Sequence, residues 1–544
     1  MLSSLNKLVR RFSSTNKQIS ITTPIFYVNS QPHIGHLYTL ILSDAYHKWK
    51  LIDNYESYFQ TGTDEHGQKI QNSAKQAQKD PQQFVDQVSQ KFVDLASQYS
   101  ISYDKFNRTS DVSHKEGAQH FWNVLEKKGF IDMKKYEGWY HTSDETFIGE
   151  KDLVKDSSGK FVTQSGQPVD WVSEETHIFV LDKIREQVIK YLENQKPVYP
   201  EHYNNSMIKQ LEELKDISIS RPKSRLTWGI TVPSNEKYTI YVWLDALTNY
   251  LTGLGYPHNN INKMHLSNNF FHIMGKDILK FHSIFWPAFL LAAGYSTPEK
   301  ILIHHHWIKD NQKMSKSLGN VVDPVELGNK YGIDSVRLYF LSEGPQDFDA
   351  NFDEADLTKT YNLFIEGFIN LMSRVFNKKI IKDGKITEIS WVLNEQDLEY
   401  ISKFTNLISK IQEHLDKCDF RRGYIAMSEL WGMTNKLMTD HAPWQKDISE
   451  SDKSKSSYLI LESVRVLSIF LYPFIPQYIQ NVYKLMNIKN DRINTNYLQF
   501  RIIDKNNLPK QSFGFEELTS EFLKIDIDNK KLIFKQKFDL QKKN

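Results

Sequence analysis

The feature that most constrains the fold is a stretch near the N-terminus in which a strand-like run, a polar turn and a helix-like run follow one another. Residues 19–28 are typical of a buried strand, and residues 37–49 have the spacing of a helix. The turn at residues 32–36 has the sequence Pro-His-Ile-Gly-His. A helix that begins directly after a strand presents free N–H groups and the positive end of its dipole, which favour an anion. This stretch therefore predicts a phosphate site in an α/β fold.

Side chains in this turn and in a second polar stretch fit a nucleotide. His33 and His36 can donate to phosphate oxygens, and Gly35 lets a flat base approach the backbone. Residues 313–317, Lys-Met-Ser-Lys-Ser, offer the ammonium groups of Lys313 and Lys316 to a triphosphate and its leaving pyrophosphate. Either stretch alone is more typical of a helix cap or a solvated loop. Together, each beside a strand-like run, they predict a nucleotide site.

Length, charge and cysteine content limit the class of protein. A chain of 544 residues is too long for one core and predicts three or four domains. The net charge of +2 means that any nucleic acid must be held by local patches. The single cysteine, Cys418, excludes a disulfide framework and a cysteine-based zinc knuckle. No apolar run approaches the ~20 residues of a membrane span.

The first 17 residues differ in composition from the rest. They contain four basic residues, four serines and no acid, and their leucines, Val9 and Phe12 fall at helical spacing opposite the basic residues. This pattern predicts an amphipathic mitochondrial targeting presequence and a protein of the mitochondrial matrix. A disordered basic tail and a plastid address are the alternatives that composition leaves open.

The remainder of the chain divides by pattern. Residues 18–128 and 210–330 alternate strand-like and helix-like runs, as in a doubly wound α/β sheet. Residues 129–209, rich in aromatic residues and turns, form an insertion between these halves, which must be held by its own core. Residues 331–352 form a short region with a mixed strand-like and helix-like pattern.

The C-terminal part of the chain is different again. Residues 353–488 carry long helical patterns and predict a bundle of four or five helices. The tail at 489–544 is rich in Lys, Asn and Ile and has no assigned role.

Several side chains fall where a ligand could meet them. Asp64 follows a strand and could hold an amino group or cap a helix. Trp243, Ala246, Leu247 and Tyr250 share one helix face, and so do Ile278 and His282, so two faces could close an apolar pocket with a polar end. The three histidines at 304–306 lie on a predicted strand, where successive side chains alternate, which argues against a metal site.

The two polar stretches resemble the HIGH and KMSKS signatures of class I aminoacyl-tRNA synthetases, and the residues around them resemble methionyl-tRNA synthetases. The resemblance covers roughly Ser20 to Gln480. It implies a Rossmann-type catalytic domain split by a connective-peptide insertion, a stem-contact region, and an α-helical anticodon-binding domain. It also implies a reaction in which methionine and ATP form methionyl-adenylate and pyrophosphate. The methionyl group then passes to the 3′ end of tRNA(Met) for organellar protein synthesis.

The resemblance further implies site residues. The catalytic residues would be His33, His36, Arg221, Lys313 and Lys316. The methionine site would contain Ile25, Tyr27, Asp64, Trp243, Ala246, Tyr250, Ile278 and His282, with Leu247 where the family usually has proline. ATP would contact His33, Gly35, His36, Gly275, Asp277, Lys313 and Lys316. The anticodon would contact Asn370, Arg374 and Trp444. From spacing alone, ordinary helix packing after a proline is the preferred interpretation of Trp444.

Cofactors and partners follow from the same resemblance. ATP with Mg²⁺, L-methionine and tRNA(Met) are expected, without a membrane. The family's insertion often carries zinc knuckles, but here His141 stands where cysteine usually follows, so no zinc is expected. The sequence contains no obvious C-terminal oligomerisation module, which favours a monomer.

Four other interpretations of the function compete with a methionyl-tRNA synthetase. Synthetases for isoleucine, valine and leucine carry a larger editing insertion than the ~80 residues available here. The synthetase for cysteine binds its substrate through a cysteine-held zinc, which one cysteine cannot supply. A small adenylyltransferase with a helical adaptor, and a tRNA-binding protein with an inactive site, are the alternatives outside the synthetases. The intact histidine and lysine motifs argue against an inactive site.

Overall fold

The computed structural model describes residues 17–141, 146–164, 166–258, 270–314, 319–377, 380, 392–486, 488 and 493–498. The predictions for residues 1–16, for Lys316 and for nearly all of the tail at 489–544 therefore lie outside the described residues. The strands are β1 (Gln18–Thr22), β2 (Phe26–Tyr27), β3 (Glu56–Asp64), β4 (Lys105–Arg108), β5 (Ile131–His141), β6 (Thr146–Ile148), β7 (Leu153–Lys155), β8 (Phe161–Thr163), β9 (Asp170–Phe179), β10 (Val198–Tyr199), β11 (Ile217–Ser218), β12 (Ser220–Pro222), β13 (Tyr238–Ile240), β14 (Phe270–Gly275), β15 (Lys300–His304), β16 (Trp307–Lys309), β17 (Gln312–Lys313) and β18 (Ala350–Asn351).

The helices cover the sheet and form the C-terminal part of the described chain. They are α1 (Ile34–Ile52), α2 (Gln68–Gln76), α3 (Pro81–Gln98), α4 (Val112–Lys127), α5 (Arg185–Asn194), α6 (His202–Glu213), α7 (Val242–Thr252), α8 (Trp286–Ala293), α9 (Pro324–Tyr331), α10 (Ile333–Glu343), α11 (Glu354–Phe364), α12 (Asn370–Val375), α13 (Glu395–Asp416), α14 (Phe420–His441), α15 (Glu450–Leu471) and α16 (Pro476–Leu485). Within the described residues, none of these helices is long and apolar enough to cross a membrane.

A parallel sheet forms the centre of the molecule. Its order is β10-β15-β14-β1-β3, with β2 continuing beside β3 and β4 on the other side of β3. Residues of the inner strands alternate between two cores: Phe271 and Ile273 pack with α1 and α10, whereas Phe270 and Met274 pack with α7 and α8. Burial on both faces explains the nearly continuous apolar strands, as expected for a parallel sheet.

The insertion is built on a long antiparallel pair. β5 and β9 pair from Ile131–Phe179 to Tyr140–Asp170, and the predicted turn at residues 156–159 joins β7 to β8. The prediction that the insertion is held by its own core is wrong at its base, where Phe179 packs against Phe289 of α8 with ring centroids 4.9 Å apart. The base of the insertion packs into the core on the α7 and α8 side of the central sheet, because both long strands begin or end beside that core.

Two sequence assignments differ from the observed elements. The predicted insertion at 129–209 includes Val198–Tyr199, which is the edge strand β10 of the central sheet. A strand of two residues carries too little alternation to be recognised from sequence. The strand expected at 300–307 is divided into β15 and β16. The seven predicted domain ranges stay predictions.

The helical part of the chain shares a core with the sheet. α11 continues into α12 through a π-helical turn at Ile365–Ile369, and α13 to α16 pack beside it. Apolar residues of α1 and of the bundle belong to one continuous cluster; for example, Trp49 stacks on Phe470 at 5.9 Å between ring centroids. The bundle is therefore packed directly against the elements of the central sheet.

A fully buried ion pair lies where these parts meet. Arg337 of α10 contacts Asp44 of α1 at 2.8 Å, and both side chains have no exposed surface. The guanidinium also donates to the carbonyl oxygens of Tyr99, Pro473 and Phe474. Lys48 donates to the second oxygen of Asp44. Burial raises the pKa of Asp44, but Lys48 and Arg337 outweigh it and lower that pKa to about 2.

The only cysteine of the chain, Cys418, lies at the junction of α13 and α14 and is buried. It is in the left-handed region, with φ of 59°. Burial, followed by the nearby Asp419 carboxylate, raises the pKa of its thiol well above the usual value.

We expect Arg337→Ala to destabilise the protein strongly. The substitution leaves Asp44 and three carbonyl oxygens buried with fewer donors, and removal of one partner from a buried ion pair typically costs about 3–5 kcal/mol. Urea unfolding followed by circular dichroism measures this loss. The matched control is Lys403→Ala, which removes an exposed pair with Glu399 and should leave stability unchanged. Equal stability of the two variants would contradict the importance of the buried contact.

Candidate active site

The cavity of interest opens where the strand order changes direction. β1 lies in the middle of the sheet, with β3 and β4 on one side of it and β14 and β15 on the other. In parallel sheets of this kind, ligands bind at the point where the strand order reverses. The C-terminal ends of β1, β3, β14 and β15 border a cavity of about 620 Å³, within the usual range for small-molecule sites. Predicted site residues that line it are Ile25, Tyr27, His33, Gly35, His36, Asp64, Trp243, Ala246, Leu247, Tyr250, Gly275, Asp277, Ile278, His282 and Lys313.

The start of α1 is arranged by its own histidines. The Nδ1 atom of His33 accepts from the Gly35 N–H at 3.1 Å, and Nδ1 of His36 accepts from the His33 N–H at 3.2 Å. Each neutral ring then carries its proton on Nε2, the donor that a phosphate oxygen could accept. Burial, and then His33, lower the pKa of His36 well below its usual value. The two rings stack at 3.8 Å between centroids.

Gly35 is required here for packing as well as for ligand access. A Cβ atom at this position would lie 2.9 Å from Cε1 of His33. Any other residue would therefore displace the His33 ring from its place above the helix start.

The histidines at 304–306 all line the cavity, contrary to the alternation expected from sequence. The strand ends at His304, so His305 and His306 no longer follow the period of a strand. His304 Nδ1–H donates to the His305 carbonyl at 2.8 Å, and its Nε2 accepts from the Thr39 hydroxyl at 2.8 Å. Burial lowers the pKa of His304 to about 4. Among the described residues, no group of histidines and acids has the arrangement of a metal site.

A carboxylate, an imidazole ring and an ammonium group meet at the opposite wall of the cavity. Asp277 accepts from Nε2 of His306 at 3.1 Å and from Nζ of Lys313 at 3.4 Å. Burial raises the pKa of Asp277, but His306 and Lys313 outweigh this effect and hold it well below its usual value. Lys313 is largely exposed, so its contact with Asp277 is weak and a polyphosphate could replace it.

The apolar end of the cavity is formed by aromatic rings. Trp243 stacks on Phe281 with centroids 3.6 Å apart. His282 donates from Nδ1 to the Ile278 carbonyl at 3.0 Å, so its Nε2 accepts from the Tyr250 hydroxyl at 2.7 Å. Burial lowers the pKa of His282 to about 4 and keeps it neutral. The two helix faces do border one pocket, and the Tyr250 hydroxyl and the His282 ring at its polar end are engaged by each other and by the backbone.

Arg221 and the predicted anticodon residues do not line the cavity. Arg221 is buried between Tyr140 and Tyr241, with its guanidinium 5.3 and 4.4 Å from their ring centroids. Its predicted catalytic role stays a prediction. Arg374 of α12 lies over Trp444, 5.5 Å from the ring centroid, and Asn370 begins the same helix. Trp444 is 41% exposed, which favours a surface role over packing in the core.

Sequence reasoning missed several residues of the cavity wall. Thr39 lies four residues after Gly35, on the same face of α1, and helical spacing could have identified it. Phe281 and Lys280 directly precede His282, but a π-helical turn at Phe281–Phe285 shifts their directions from those of a regular helix. No local signal predicts that shift.

The cavity thus has a polar half for an anion and an apolar half for a side chain. The anion half is built by a helix N-terminus with two Nε2–H donors and a lysine, and the apolar half ends at a buried carboxyl, Asp64. Fold and cavity fit the class I aminoacyl-tRNA synthetases that the two sequence motifs resemble.

Comparison with known proteins narrows the class. The family described as tRNA synthetases class I (M) matches residues 19–376, and the anticodon binding domain of methionyl tRNA ligase matches residues 390–541. The mitochondrial methionine–tRNA ligase of Homo sapiens is 37% identical over 84% of this chain and 81% of its own. The probable mitochondrial enzyme of Dictyostelium discoideum is 35% identical over 92% of this chain and 89% of its own.

A solved structure agrees. Mycobacterium tuberculosis methionyl-tRNA synthetase in complex with methionyl-adenylate superimposes with a TM-score of 0.82 at 31% identity, covering 89% of this chain and 96% of that one. The chain belongs to the methionine–tRNA ligase family of class I synthetases. The predictions of fold class, enzyme class, function and mitochondrial location are confirmed.

Because these buried histidines are neutral, we predict that the free energy of unfolding decreases as the pH is lowered. Above pH 6.5, His282 and His304 are neutral in both states and contribute no pH dependence. Between pH 6.5 and about 4 the unfolded chain binds protons that the folded one excludes, so the free energy of unfolding falls, by up to about 3 kcal/mol for each group. Asp334, whose pKa is raised by burial to about 6, opposes this trend. His36 and His272, whose pKa values are lowered by burial, reinforce it.

Urea unfolding at intervals from pH 7.5 to 4.5 measures the trend. The variant His304→Gln should show a shallower dependence, since one excluded proton is removed. A pH dependence that is flat, or identical in the variant, would contradict the neutral state of these rings.

Proposed function

We propose that the cavity binds L-methionine and ATP side by side and joins them as methionyl-adenylate, which then charges tRNA(Met) in the mitochondrial matrix. The observation that carries the proposal is the continuity of one cavity from the aromatic pocket at Trp243 to the helix start at His33. The Mycobacterium tuberculosis synthetase that this chain resembles was solved with methionyl-adenylate.

The methionine side chain would occupy the aromatic half. Trp243, Ala246, Tyr250, Ile278 and His282 surround it, and Ile25 and Tyr27 bound it on the side of β1. Asp64 would receive the α-amino group, since a carboxylate at the end of β3 attracts an ammonium ion. A thioether is apolar, polarizable and a weak acceptor, and it suits a pocket of aromatic rings.

ATP would occupy the polar half. The adenosine would approach the backbone at Gly35, and Gly275 and Asp277 would lie beside the ribose and phosphates. His33 and His36 would donate from Nε2 to phosphate oxygens. Lys313, released from Asp277, and Lys316 would hold the β- and γ-phosphates. Arg221 is proposed to act on the active geometry through its buried position rather than by touching the substrates.

In the first step a methionine carboxylate oxygen attacks the α-phosphorus, and the bond to the β-phosphate bridging oxygen breaks. Pyrophosphate leaves with the electron pair. In the second step a ribose hydroxyl of the terminal adenosine attacks the methionyl carbonyl carbon, the bond from that carbon to the phosphate oxygen breaks, and AMP leaves with the electron pair while the hydroxyl proton is released to the phosphate or to water. No covalent bond to the enzyme forms, so catalysis consists of positioning and stabilisation of charge on phosphorus.

Mg²⁺ is proposed to enter with ATP. Asp277 is the carboxylate of the polar half, and hard oxygen donors of this kind together with phosphates are the ligands Mg²⁺ prefers. The ion would supply positive charge against the developing negative charge. We propose that the enzyme holds no structural zinc, because the chain has one cysteine. We also propose that the enzyme is a monomer.

The activation step is tested by ATP–pyrophosphate exchange. Exchange that depends on methionine, and not on isoleucine, valine or cysteine, is the expected result, and its absence would overturn the proposal. Lys313→Ala should lower the exchange rate at least about tenfold with little change in the KM for methionine, because the ammonium acts mainly on the leaving pyrophosphate. Lys309→Ala is the matched control: it lies on the adjoining strand and does not line the cavity.

Asn370, Arg374 and Trp444 are proposed to read the anticodon. An exposed indole with a cation over its ring can stack an unpaired base, and such stacking is worth ~1–3 kcal/mol. Trp444→Ala should therefore lower kcat/KM for tRNA by up to about a hundredfold and leave methionine-dependent exchange near wild type.

Ile425→Ala, which truncates a half-exposed apolar residue of α14, is the control for surface truncation in the same bundle. Charging, exchange and thermal melting are measured on one preparation of each variant. A large fall in melting temperature, with both activities lost together, would assign Trp444 to packing instead.

A further inference from the structure

One buried carboxylate on the methionine-pocket helix does not face the pocket. Asp245 lies on α7 between the pocket residues Trp243 and Ala246, and it has no exposed surface. One of its oxygens lies 2.7 Å from Nδ1 of His66, and the other lies 2.7 Å from Nε2 of His114. Both histidines are also buried.

The partners of the rings define the direction of these hydrogen bonds. A carboxylate only accepts, so His66 donates from Nδ1–H and His114 from Nε2–H. The other nitrogen of His114, Nδ1, lies 2.8 Å from the Thr252 hydroxyl at the end of the same helix α7. Burial raises the pKa of Asp245, but the two histidines outweigh it and lower that pKa to about 2. The carboxylate is thus ionised and held by two rings from the other half of the fold.

The His66 contact ties α7 to the segment that carries Asp64. Residues 64 and 66 are separated by at most about 7 Å of chain. Further contacts hold this segment: the Trp228 indole donates to the Glu65 carbonyl at 2.6 Å, and the Glu65 carboxylate pairs with Arg108 at 2.7 and 2.9 Å. The position of His66 therefore sets the position of Asp64 relative to Trp243 and Ala246.

We propose that Asp245, His66 and His114 are positioning residues that hold the side-chain pocket at a set distance from the carboxyl group that receives the α-amino group. The proposal rests on the function proposed above, in which Asp64 binds that amino group. Methionine is then selected by the length between its two ends, in addition to the shape of the aromatic rings. A buried charge costs solvation that apolar packing would not, so its presence fits a geometric role better than one in stability.

The test compares Asp245→Asn with a matched buried carboxylate. Glu462→Gln removes the charge of a carboxylate that pairs with Arg465 inside the helical bundle, at 2.6 and 2.8 Å. Methionine-dependent ATP–pyrophosphate exchange gives kcat and KM for methionine and ATP. Ethionine, one methylene longer, gives the selection by length.

Asp245→Asn should raise the KM for methionine about ten- to a hundredfold, because a small displacement of a binding group has effects of this size. The KM for ATP should change less than about twofold, and the preference for methionine over ethionine should fall at least about fivefold. His114→Gln, whose amide can still donate to Asp245, should stay within about threefold of wild type. Glu462→Gln should lower the melting temperature and leave both KM values unchanged.

Unchanged methionine KM and ethionine selection in folded Asp245→Asn would overturn the proposal, as would a parallel rise of both KM values. If Asp245→Asn does not fold, His66→Asn and His66→Leu decide: the leucine variant must lose selection by length, and the asparagine variant, whose amide nitrogen can donate from the position of Nδ1, must retain it. Lack of methionine-dependent exchange in the wild-type enzyme would instead overturn the proposed function.

Discussion

The contact between Arg337 and Asp44 is the interaction on which the arrangement of the molecule depends. Asp44 lies on the helix whose first turn carries His33 and His36, and Arg337 lies on α10. The guanidinium also binds carbonyl oxygens of the turn between α15 and α16, at Pro473 and Phe474. A buried cation must have every N–H paired, so only one relative orientation of these parts satisfies it. The helix whose N-terminus borders the polar half of the cavity and the C-terminal helical bundle are thereby held in one geometry.

Much of the site was predictable because its signals are local. The turn at residues 32–36 sits between a strand and a helix, and a helix N-terminus has the same chemistry wherever it occurs. Trp243, Ala246 and Tyr250 share a face because helical spacing requires it. The α/β sheet and the helical bundle follow from repeated patterns of the same kind, so the fold class could be predicted with few errors.

The features that were not predictable depend on residues far apart in the chain. His66 and His114 reach Asp245 across 179 and 131 residues, and no periodicity records such a contact. The inward positions of His305 and His306 depend on where β15 ends, which is set by pairing with β14. The short strand at Val198–Tyr199 exists only because β15 provides its partner. In each case the tertiary structure decides what the local sequence leaves undetermined.

Cys418 limits the thiol chemistry that is open to the folded enzyme. It is the only sulfhydryl in the chain, it is buried, and its raised pKa leaves almost no thiolate at the pH of a cell compartment. Oxidation to sulfenic acid, exchange with glutathione and alkylation all begin from an accessible thiolate. We therefore expect Cys418 of the folded protein to react slowly with thiol reagents and with peroxide. A cysteine introduced on the surface would become a unique attachment point for a fluorophore or cross-linker.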